Sequence, residues 1–285
     1  MPEQLATLLV SCPDRKGLVA SLAQVLYGHG ANILDADQHT DAVAGMFFQR
    51  IRFDLASLNT DRVALEHGIG EVAARFGMTW RLAYGQRPRR VAILVSKFDH
   101  CLWDLLIRHR AGELACEIAM VVSNHDALAP VAAHFGVPFH HLPVTAATRG
   151  AQEPEVWRLL DDAGVELIVL ARYMQILSAE FVERYPHRII NIHHSFLPAF
   201  IGANPYRQAH ERGVKLIGAT AHYVTAQLDE GPIIEQGVAR CSHRDTVDDL
   251  VRKGRDLEKV VLAAAVRWHL EDRVLPYAGK TVVFD

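Results

Sequence analysis

Apolar residues follow two periods along the chain and predict alternating strands and helices. In the first 85 residues, the apolar run 5–10 predicts a strand, whereas Leu18, Leu22 and Leu26 recur at helical spacing. Further strands are predicted at 32–40, 46–53 and 79–84, and a further helix at 63–76. The resulting order, βαββαβ, is that of a ferredoxin-like module.

From residue 91 the pattern changes to short apolar runs separated by amphipathic helices. Residues 91–95 are apolar without alternation, which is typical of a strand buried on both faces of a parallel sheet. The predicted strands are 91–95, 118–122, 167–170, 189–192, 215–224 and 232–238, and the predicted helices are 102–109, 128–135, 156–163, 179–185 and 247–270. Right-handed crossovers would wind these elements into an open, doubly wound, mostly parallel α/β sheet.

A change of composition between the two patterns predicts the domain boundary. Residues 86–90 are polar and basic, and we interpret them as a linker between a domain at 1–85 and a second domain at 91–285. The arginines there form one brief cluster, so a solvated linker is favoured over a nucleic-acid site.

Composition narrows the classes of protein further. With 50% hydrophobic residues, 22% charged residues and a net charge of −3, the chain fits a soluble globular protein with no electrostatic footprint for nucleic acid. The apolar runs are too short for a membrane span and the first residues lack a signal-peptide pattern, so a cytoplasmic location is expected. The four cysteines, Cys12, Cys101, Cys116 and Cys241, form no C-x-x-C pair, which favours reduced thiols over disulfides or a zinc site.

Two polar residues, Asn191 and His193, lie two positions apart at the end of the predicted strand 189–192. Period two places them on one face, at the carboxyl end of a parallel strand, where doubly wound sheets bind ligands. An amide N–H and a protonated imidazole can both donate to a developing oxyanion. Asp229, in a later loop, could raise the pKa of the histidine, orient water or act as a general base. Together these residues predict a carbonyl-processing site.

Less specific interpretations of the same residues stay open at this point. Asn191 could cap a turn, His193 could be a satisfied core residue and Asp229 a solvated turn acid. The neighbours His193 and His194 suggest a metal site, but adjacent strand residues point to opposite faces, so the two are not expected to bind one ion.

The loop after the first strand of the second domain excludes two nucleotide-binding classes. Its sequence, SKFDH at 96–100, contains no G-x-G-x-x-G, and the P-loop pattern is missing as well. A transferase acting on a phosphoribosyl amine would need a glycine-rich anion cradle here, but Lys97, Phe98 and Asp99 occupy that place. Water is therefore the expected acceptor.

Three further motifs, together with Asn191-Ile192-His193, resemble those of the folate-dependent formyltransferases. They lie at 198–202, at 218–223 (GATAHY) and at 228–234 (LDEGPII). The stretches SKFDHCL at 96–102, PFHH at 138–141 and NIHHSFLP at 191–198 look like the formyltetrahydrofolate deformylase branch. CPDRKG at 12–17, DQH at 37–39 and GMFF at 45–48 look like an ACT domain. The resemblance covers nearly the whole chain, with a small departure at Gln49, where an apolar residue is expected.

The resemblance implies hydrolysis of 10-formyltetrahydrofolate to formate and tetrahydrofolate, which would supply formate for purine biosynthesis and balance one-carbon folate pools. It implies that Asn191, His193 and Asp229 are catalytic and that no metal or cofactor is needed. His222 is a supporting partner of Asp229 or simply a buried strand histidine. The implied substrate-binding residues are Arg172, Met174, Ile201, Gly202 and Leu228.

For the ACT domain, the resemblance implies an amino-acid effector and a homo-oligomer. The effector residues would be Asp14, Gly17, Gly30 and Asn32. Alternatively, the two glycines only shape turns and the domain only pairs subunits through its sheet.

Two other functions remain as alternatives. One is a formyltransferase with an unrecognised amine acceptor, and the other is a non-catalytic sensor of folate or an amino acid. The presence of Asn191, His193 and Asp229 argues against the sensor.

Overall fold

The computed structural model describes residues 4–85, 87–145, 148–198 and 205–285. In chain order the elements are β1 (Leu5–Pro13), α1 (Leu18–Gly28), β2 (Asn32–Asp41), β3 (Met46–Asp54), α2 (Arg62–Phe76), β4 (Thr79–Tyr84), β5 (Arg89–Val95), α3 (His100–Arg110), β6 (Cys116–Ser123), α4 (Ala129–His134), β7 (Phe139–His141), α5 (Arg149–Asp162), β8 (Leu167–Leu170), α6 (Ala179–Arg184), β9 (Ile189–His193), α7 (Pro205–Glu211), β10 (Leu216–Tyr223), β11 (Ile233–Arg240), α8 (Val247–Leu270), β12 (Val274–Tyr277) and β13 (Lys280–Val283). Within the described ranges, no helix is both long and apolar enough to cross a membrane.

The chain divides into two compact units. The first comprises Met1–Pro88 with Asp272–Tyr277 and Val282–Asp285, and the second comprises Arg89–Glu271 with Ala278–Thr281. The division after Pro88 falls inside the stretch 86–90 that the sequence suggests as a linker.

The first unit contains an antiparallel sheet of order β2-β3-β1-β4 with α1 and α2 on one face. Gly17, whose φ of 92° suits glycine, is the N-cap of α1, and Asp61, whose carboxylate accepts a hydrogen bond from the Ala64 N–H, is the N-cap of α2. The two helices bury Leu22 and Ile69 against this sheet. Gln49 of β3 is only 2% exposed and its Oε1 has no partner among the described residues, which fits the expectation of an apolar residue there.

The other face of this sheet is covered by residues from the last part of the sequence. Val282 and Phe284 pack with Leu9 and Phe48 in a small apolar cluster. The sequence pattern assigned 91–285 to one domain, whereas these contacts group most of the residues after Glu271 with the first unit. Strands β12 and β13 have only four residues each, so their apolar pattern is too short to indicate which sheet they cover.

The second unit contains a seven-stranded sheet of order β11-β10-β9-β8-β5-β6-β7. Strands β5 to β9 run parallel to one another, whereas β10 pairs antiparallel with both β9 and β11. The doubly wound, mostly parallel fold expected from the sequence is therefore present. The chain builds outward through β6 and β7 on one side of β5 and through β8 and β9 on the other. The switch point of the sheet thus lies between β5 and β8, where ligands of this architecture bind.

The remaining differences from the sequence pattern are short or terminal. The structure adds β7 and α7, which have three and seven residues, and α5 begins before residue 156, where its apolar periodicity starts. Short elements of this kind contain too few apolar positions to show a period.

Candidate active site

The pairing of β9 with β10 brings three of the polar side chains together. The register is antiparallel and places His222 opposite Asn191 and Thr220 opposite His193. Asn191 Nδ2 lies 3.2 Å from His222 Nε2, and His222 Nδ1 lies 2.9 Å from the Tyr223 carbonyl oxygen. Because a carbonyl only accepts, neutral His222 carries its proton on Nδ1, and its Nε2 accepts the Asn191 N–H. His222 therefore orients the amide of Asn191.

Asp229 completes the group from the loop between β10 and β11. Its Oδ2 lies 3.2 Å from His193 Nδ1, and its Oδ1 lies 3.7 Å from His222 Nε2, which is beyond hydrogen-bond range. The hydrogen bond from His193, followed by the influence of His222, holds the pKa of Asp229 well below its usual range. Asp229 is thus a carboxylate at neutral pH, and it fixes the orientation of the His193 ring.

The loop that presents Asp229 is held in an unusual backbone conformation. Asp229 has a φ of 58°, in the left-handed region that non-glycine residues rarely adopt. Two residues later, a Cβ on Gly231 would lie 1.7 Å from the Tyr223 carbonyl oxygen. The Tyr223 N–H donates to the Pro232 carbonyl at 2.9 Å, so the loop returns directly over the end of β10. This close approach requires glycine at position 231.

His193 retains an unused nitrogen. The residue is 6% exposed, and its Nε2 has no hydrogen-bond partner among the described residues. Since Nδ1 faces Asp229, Nε2 is the nitrogen left to pair with a bound molecule.

These residues line a cavity of about 280 Å³ at the carboxyl ends of β8 and β9. Of the predicted substrate-binding residues, Arg172, Met174 and Leu228 line this cavity, whereas Ile201 and Gly202 lie outside the described residues. Met174 and Leu228 are exposed at its rim. The four polar residues and the three predicted lining residues therefore share one concave site.

The wall that carries Met174 is fixed by two buried polar residues that the sequence reasoning did not single out. Ser96 Oγ accepts the Met174 backbone N–H at 2.9 Å and donates to Asn124 Oδ1 at 2.6 Å. Ser96 and Asn124 follow the ends of β5 and β6, so the signal was their position at the carboxyl ends of parallel strands.

A buried carboxylate, Glu258, lies beside the loop after β5 and was also missed. It is 1% exposed, and it receives hydrogen bonds from His100 Nε2 and the Tyr206 hydroxyl, both at 2.7 Å. The Nε of Arg172 lies 3.6 Å away, and the Arg172 guanidinium stacks on Phe98 at 4.9 Å. An acidic residue in the apolar face of α8 was the available signal.

His100, Cys101 and Glu258 are the one group of possible metal ligands among the described residues, with ligand atoms within 4.8 Å of one another. The Glu258 carboxylate already pairs with two hydrogen-bond donors and a guanidinium. Burial raises the pKa of the Cys101 thiol well above its usual range, so the thiolate that a metal needs is disfavoured.

His194 contradicts the expectation that it points away from His193. Strand β9 ends at His193 and the chain bends at His194, so strand alternation no longer applies. The two imidazole rings lie side by side, with centroids 5.2 Å apart and an angle of 30° between their planes. Both residues line the same cavity.

The residues predicted to bind an effector lie in turns or at strand ends of the first unit. Gly17 and Gly30 have φ values of 92° and 79°, and a Cβ on Gly30 would lie 2.6 Å from the Ser57 carbonyl oxygen. Asp14 follows β1, and Asn32 starts β2. Backbone conformation alone therefore accounts for glycine at both positions, whether or not they also bind an effector.

Two family models match the chain and define its class of protein. The family model of formyl transferases matches residues 89–266, and the ACT domain model matches residues 6–65. The second unit is thus a formyl transferase domain, and an ACT domain precedes it.

Individual relatives narrow the class. The formyltetrahydrofolate deformylase of Synechocystis sp. is 55% identical over 284 residues, covering 100% of both chains, and that of Bacillus subtilis is 50% identical, covering 99% of this chain and 95% of the relative. The crystal structure of a formyltetrahydrofolate deformylase from Pseudomonas syringae pv. tomato matches with a TM-score of 0.95 and 46% identity, covering 99% of this chain and 95% of that one. The chain belongs to the formyltetrahydrofolate deformylase family.

Proposed function

We propose that the cavity between β8, β9 and the Asp229 loop binds 10-formyltetrahydrofolate and that water there releases formate and tetrahydrofolate. The observation that carries this proposal is the convergence of Asn191, His193 and Asp229 in the wall of one cavity. An amide donor, an imidazole and a carboxylate are the groups that hydrolysis of a formyl amide needs.

In this proposal, Asn191 and His193 stabilise the tetrahedral intermediate. His222 accepts one N–H of Asn191 and leaves the second N–H for the formyl oxygen. When protonated, His193 donates through Nε2, the nitrogen that has no partner among the described residues. His193 then passes this proton to the leaving nitrogen of tetrahydrofolate.

Asp229 acts in the proposal through its charge and position. The pKa of Asp229 is strongly lowered, so its carboxylate is a poor proton acceptor and does not deprotonate water. In this proposal it orients the water and stabilises the His193 imidazolium. Its contact with His193 also fixes which ring nitrogen faces the substrate.

Water, rather than an amine, is supported as the acceptor by the side chains after β5. Phe98 stacks under the guanidinium of Arg172, and His100 is bonded to Glu258. A phosphate cradle of backbone N–H groups needs this space to be open. Incubation with 10-formyltetrahydrofolate alone separates the alternatives. Formate release without an amine supports hydrolysis, and turnover only after an amine is added supports transfer.

Replacement of Asp229 tests the assignment. Asp229→Asn should lower kcat by about 10²- to 10⁴-fold, because it removes the charge that supports His193. Asp256→Asn is the matched control, since the Asp256 side chain is 67% exposed and, among the described residues, its ion pair is with Lys259. Formate release is measured for both variants, and near-normal release by Asp229→Asn would show that the assignment is wrong.

The proposal also covers the cofactor needs, cellular location, oligomeric state and effector of the enzyme. We expect it to need no metal or cofactor, to supply formate for purine biosynthesis and to work in the cytoplasm, in keeping with its four free cysteines. We also expect a homo-oligomer whose ACT domain binds an amino acid at Asp14, Gly17, Gly30 and Asn32. Equilibrium dialysis with the twenty amino acids and sedimentation of the full chain test these two expectations.

A further inference from the structure

We propose that His194 is the general base that takes a proton from the attacking water. This inference rests on the proposed function, since it assigns a step of the same hydrolysis. The proposed roles of Asn191, His193 and Asp229 leave this proton without an acceptor. Asp229 is engaged with His193, and Asn191 has no basic nitrogen.

The position of His194 fits the task. It lines the cavity beside His193, with ring centroids 5.2 Å apart, and it is partly exposed. Within the part of the chain that the structure describes, neither of its ring nitrogens forms a hydrogen bond. The ring centroid of Tyr206 lies 6.3 Å from that of His194, with an angle of 52° between the planes. The ring therefore has two aromatic neighbours while its nitrogens stay available.

The backbone on both sides of His194 is fixed. His193 belongs to β9, and Thr220 of β10 anchors the turn that follows. Its hydroxyl donates to the Ser195 carbonyl at 2.9 Å and accepts the Leu197 N–H at 3.1 Å. A general base needs such fixed placement, because proton transfer requires hydrogen-bond distance to the water.

The surroundings keep the imidazole neutral. Burial, followed by the charges of Arg172 and His193, lowers the pKa of His194 to about 4, although Glu258 and Asp229 act in the opposite direction. A neutral imidazole has a free lone pair at physiological pH. It is also a stronger base than Asp229, whose pKa is held below its usual range.

The lone pair of His194 takes one proton from water while the water oxygen bonds to the formyl carbon and the carbonyl electrons move to oxygen. The alkoxide receives hydrogen bonds from Asn191 and His193. When the carbonyl re-forms, the carbon–nitrogen bond breaks and the nitrogen takes the proton of His193. His194 then releases its proton to solvent, His193 takes one up again, and formic acid leaves and loses its own proton to solvent. The net reaction consumes one water and yields tetrahydrofolate, formate and a proton.

Two substitutions of the full-length protein test this role. His194→Ala leaves a space that free imidazole can fill, and His194→Gln fills that space without a base. Both should lower kcat by about 10²- to 10⁴-fold, while KM for 10-formyltetrahydrofolate changes by less than about threefold. Imidazole added to the buffer should restore formate release by His194→Ala but not by His194→Gln.

The pH profile gives a signature that a structural role would not produce. Without a base, hydroxide must attack, so the rate of either variant should rise about tenfold per pH unit between pH 6 and 9, more steeply than that of the wild type. His243→Ala is the control, because His243 is exposed and lies outside the cavity. It should retain normal kcat and show no response to imidazole.

Several outcomes would overturn the inference. A His194→Ala variant within threefold of the wild type would do so, and so would a loss of activity with a pH profile parallel to the wild type and no effect of imidazole. If His194→Ala does not fold, the pH profile of His194→Gln decides alone. Failure of the proposed function is distinguishable, because the wild type itself would then release no formate, or Asp229→Asn would remain active.

Discussion

Gly231 lies so close to the Tyr223 backbone that a larger residue there should disturb both folding and catalysis. A Cβ added at Gly231 would lie 1.7 Å from the Tyr223 carbonyl oxygen, 2.8 Å from its carbon and 3.3 Å from His222 Nδ1. A carbon–oxygen contact needs roughly 3.3 Å, so Gly231→Ala must separate the two backbones by roughly 1.6 Å. No rotamer change relieves a clash with backbone.

The displacement affects both stability and catalysis. Overpacking of this kind costs about 3 kcal/mol, which for a unit of this size corresponds to a fall in Tm of about 6–12 °C. The Tyr223 carbonyl also orients His222, and Asp229 lies two residues from the substitution. Because misplacement by about 1 Å can cost about 10²-fold in rate, kcat should fall at least that far.

The assay pairs formate release with thermal unfolding of the same preparation. Gly28→Ala is the matched control, since a Cβ there meets nothing within 4 Å and its φ is ordinary. It should keep the wild-type kcat and Tm or raise Tm slightly. A Gly231→Ala variant with the wild-type Tm and a kcat within twofold of the wild type would show that this loop does not position the site.

Three further predictions concern pH, the cavity wall and the covered sheet. Because the folded-state pKa of Asp229 is lowered, the carboxylate contributes its full stabilisation above about pH 5 and loses it as the pH falls. The urea midpoints of the wild type and of Asp229→Asn should therefore converge at acidic pH. Ser96→Ala should leave the Met174 N–H unpaired and raise KM by roughly tenfold, the equivalent of about 1.4 kcal/mol, with little change in kcat; an unchanged KM would contradict the positioning role. Phe284→Ala should cost about 3–5 kcal/mol in urea unfolding through lost packing on Phe48, and a loss below about 1 kcal/mol would show that this cover is loose.

Some features of the site follow from a local sequence pattern, whereas others depend on contacts between distant segments. Period two correctly predicts that Asn191 and His193 share a face, because β9 extends through both residues. The same rule fails one residue later at His194, because the strand has ended and only tertiary contacts set the direction of the chain. The pairing of Asn191 with His222 depends on the register between β9 and β10, which no local pattern encodes.

The fold, too, is predictable from the sequence only where burial leaves a local pattern. Long apolar runs such as that of β5 predict the parallel sheet, since burial on both faces leaves a recognisable signature. Glu258 could be recognised as a misfit in an amphipathic helix, but its partners His100 and Tyr206 come from distant segments. Contacts between segments far apart in sequence have no signature in either segment alone.

The packing of Val282 and Phe284 on Leu9 and Phe48 also has a consequence for the order of events during synthesis. On the ribosome, the first four strands emerge long before residues 272–285, so one face of their sheet stays bare while the entire second unit is made. Domains generally fold as units from the N-terminus, but this one receives its final layer only after the second unit has been made. The synthesis of the ACT domain therefore begins before that of the second unit and is completed after it.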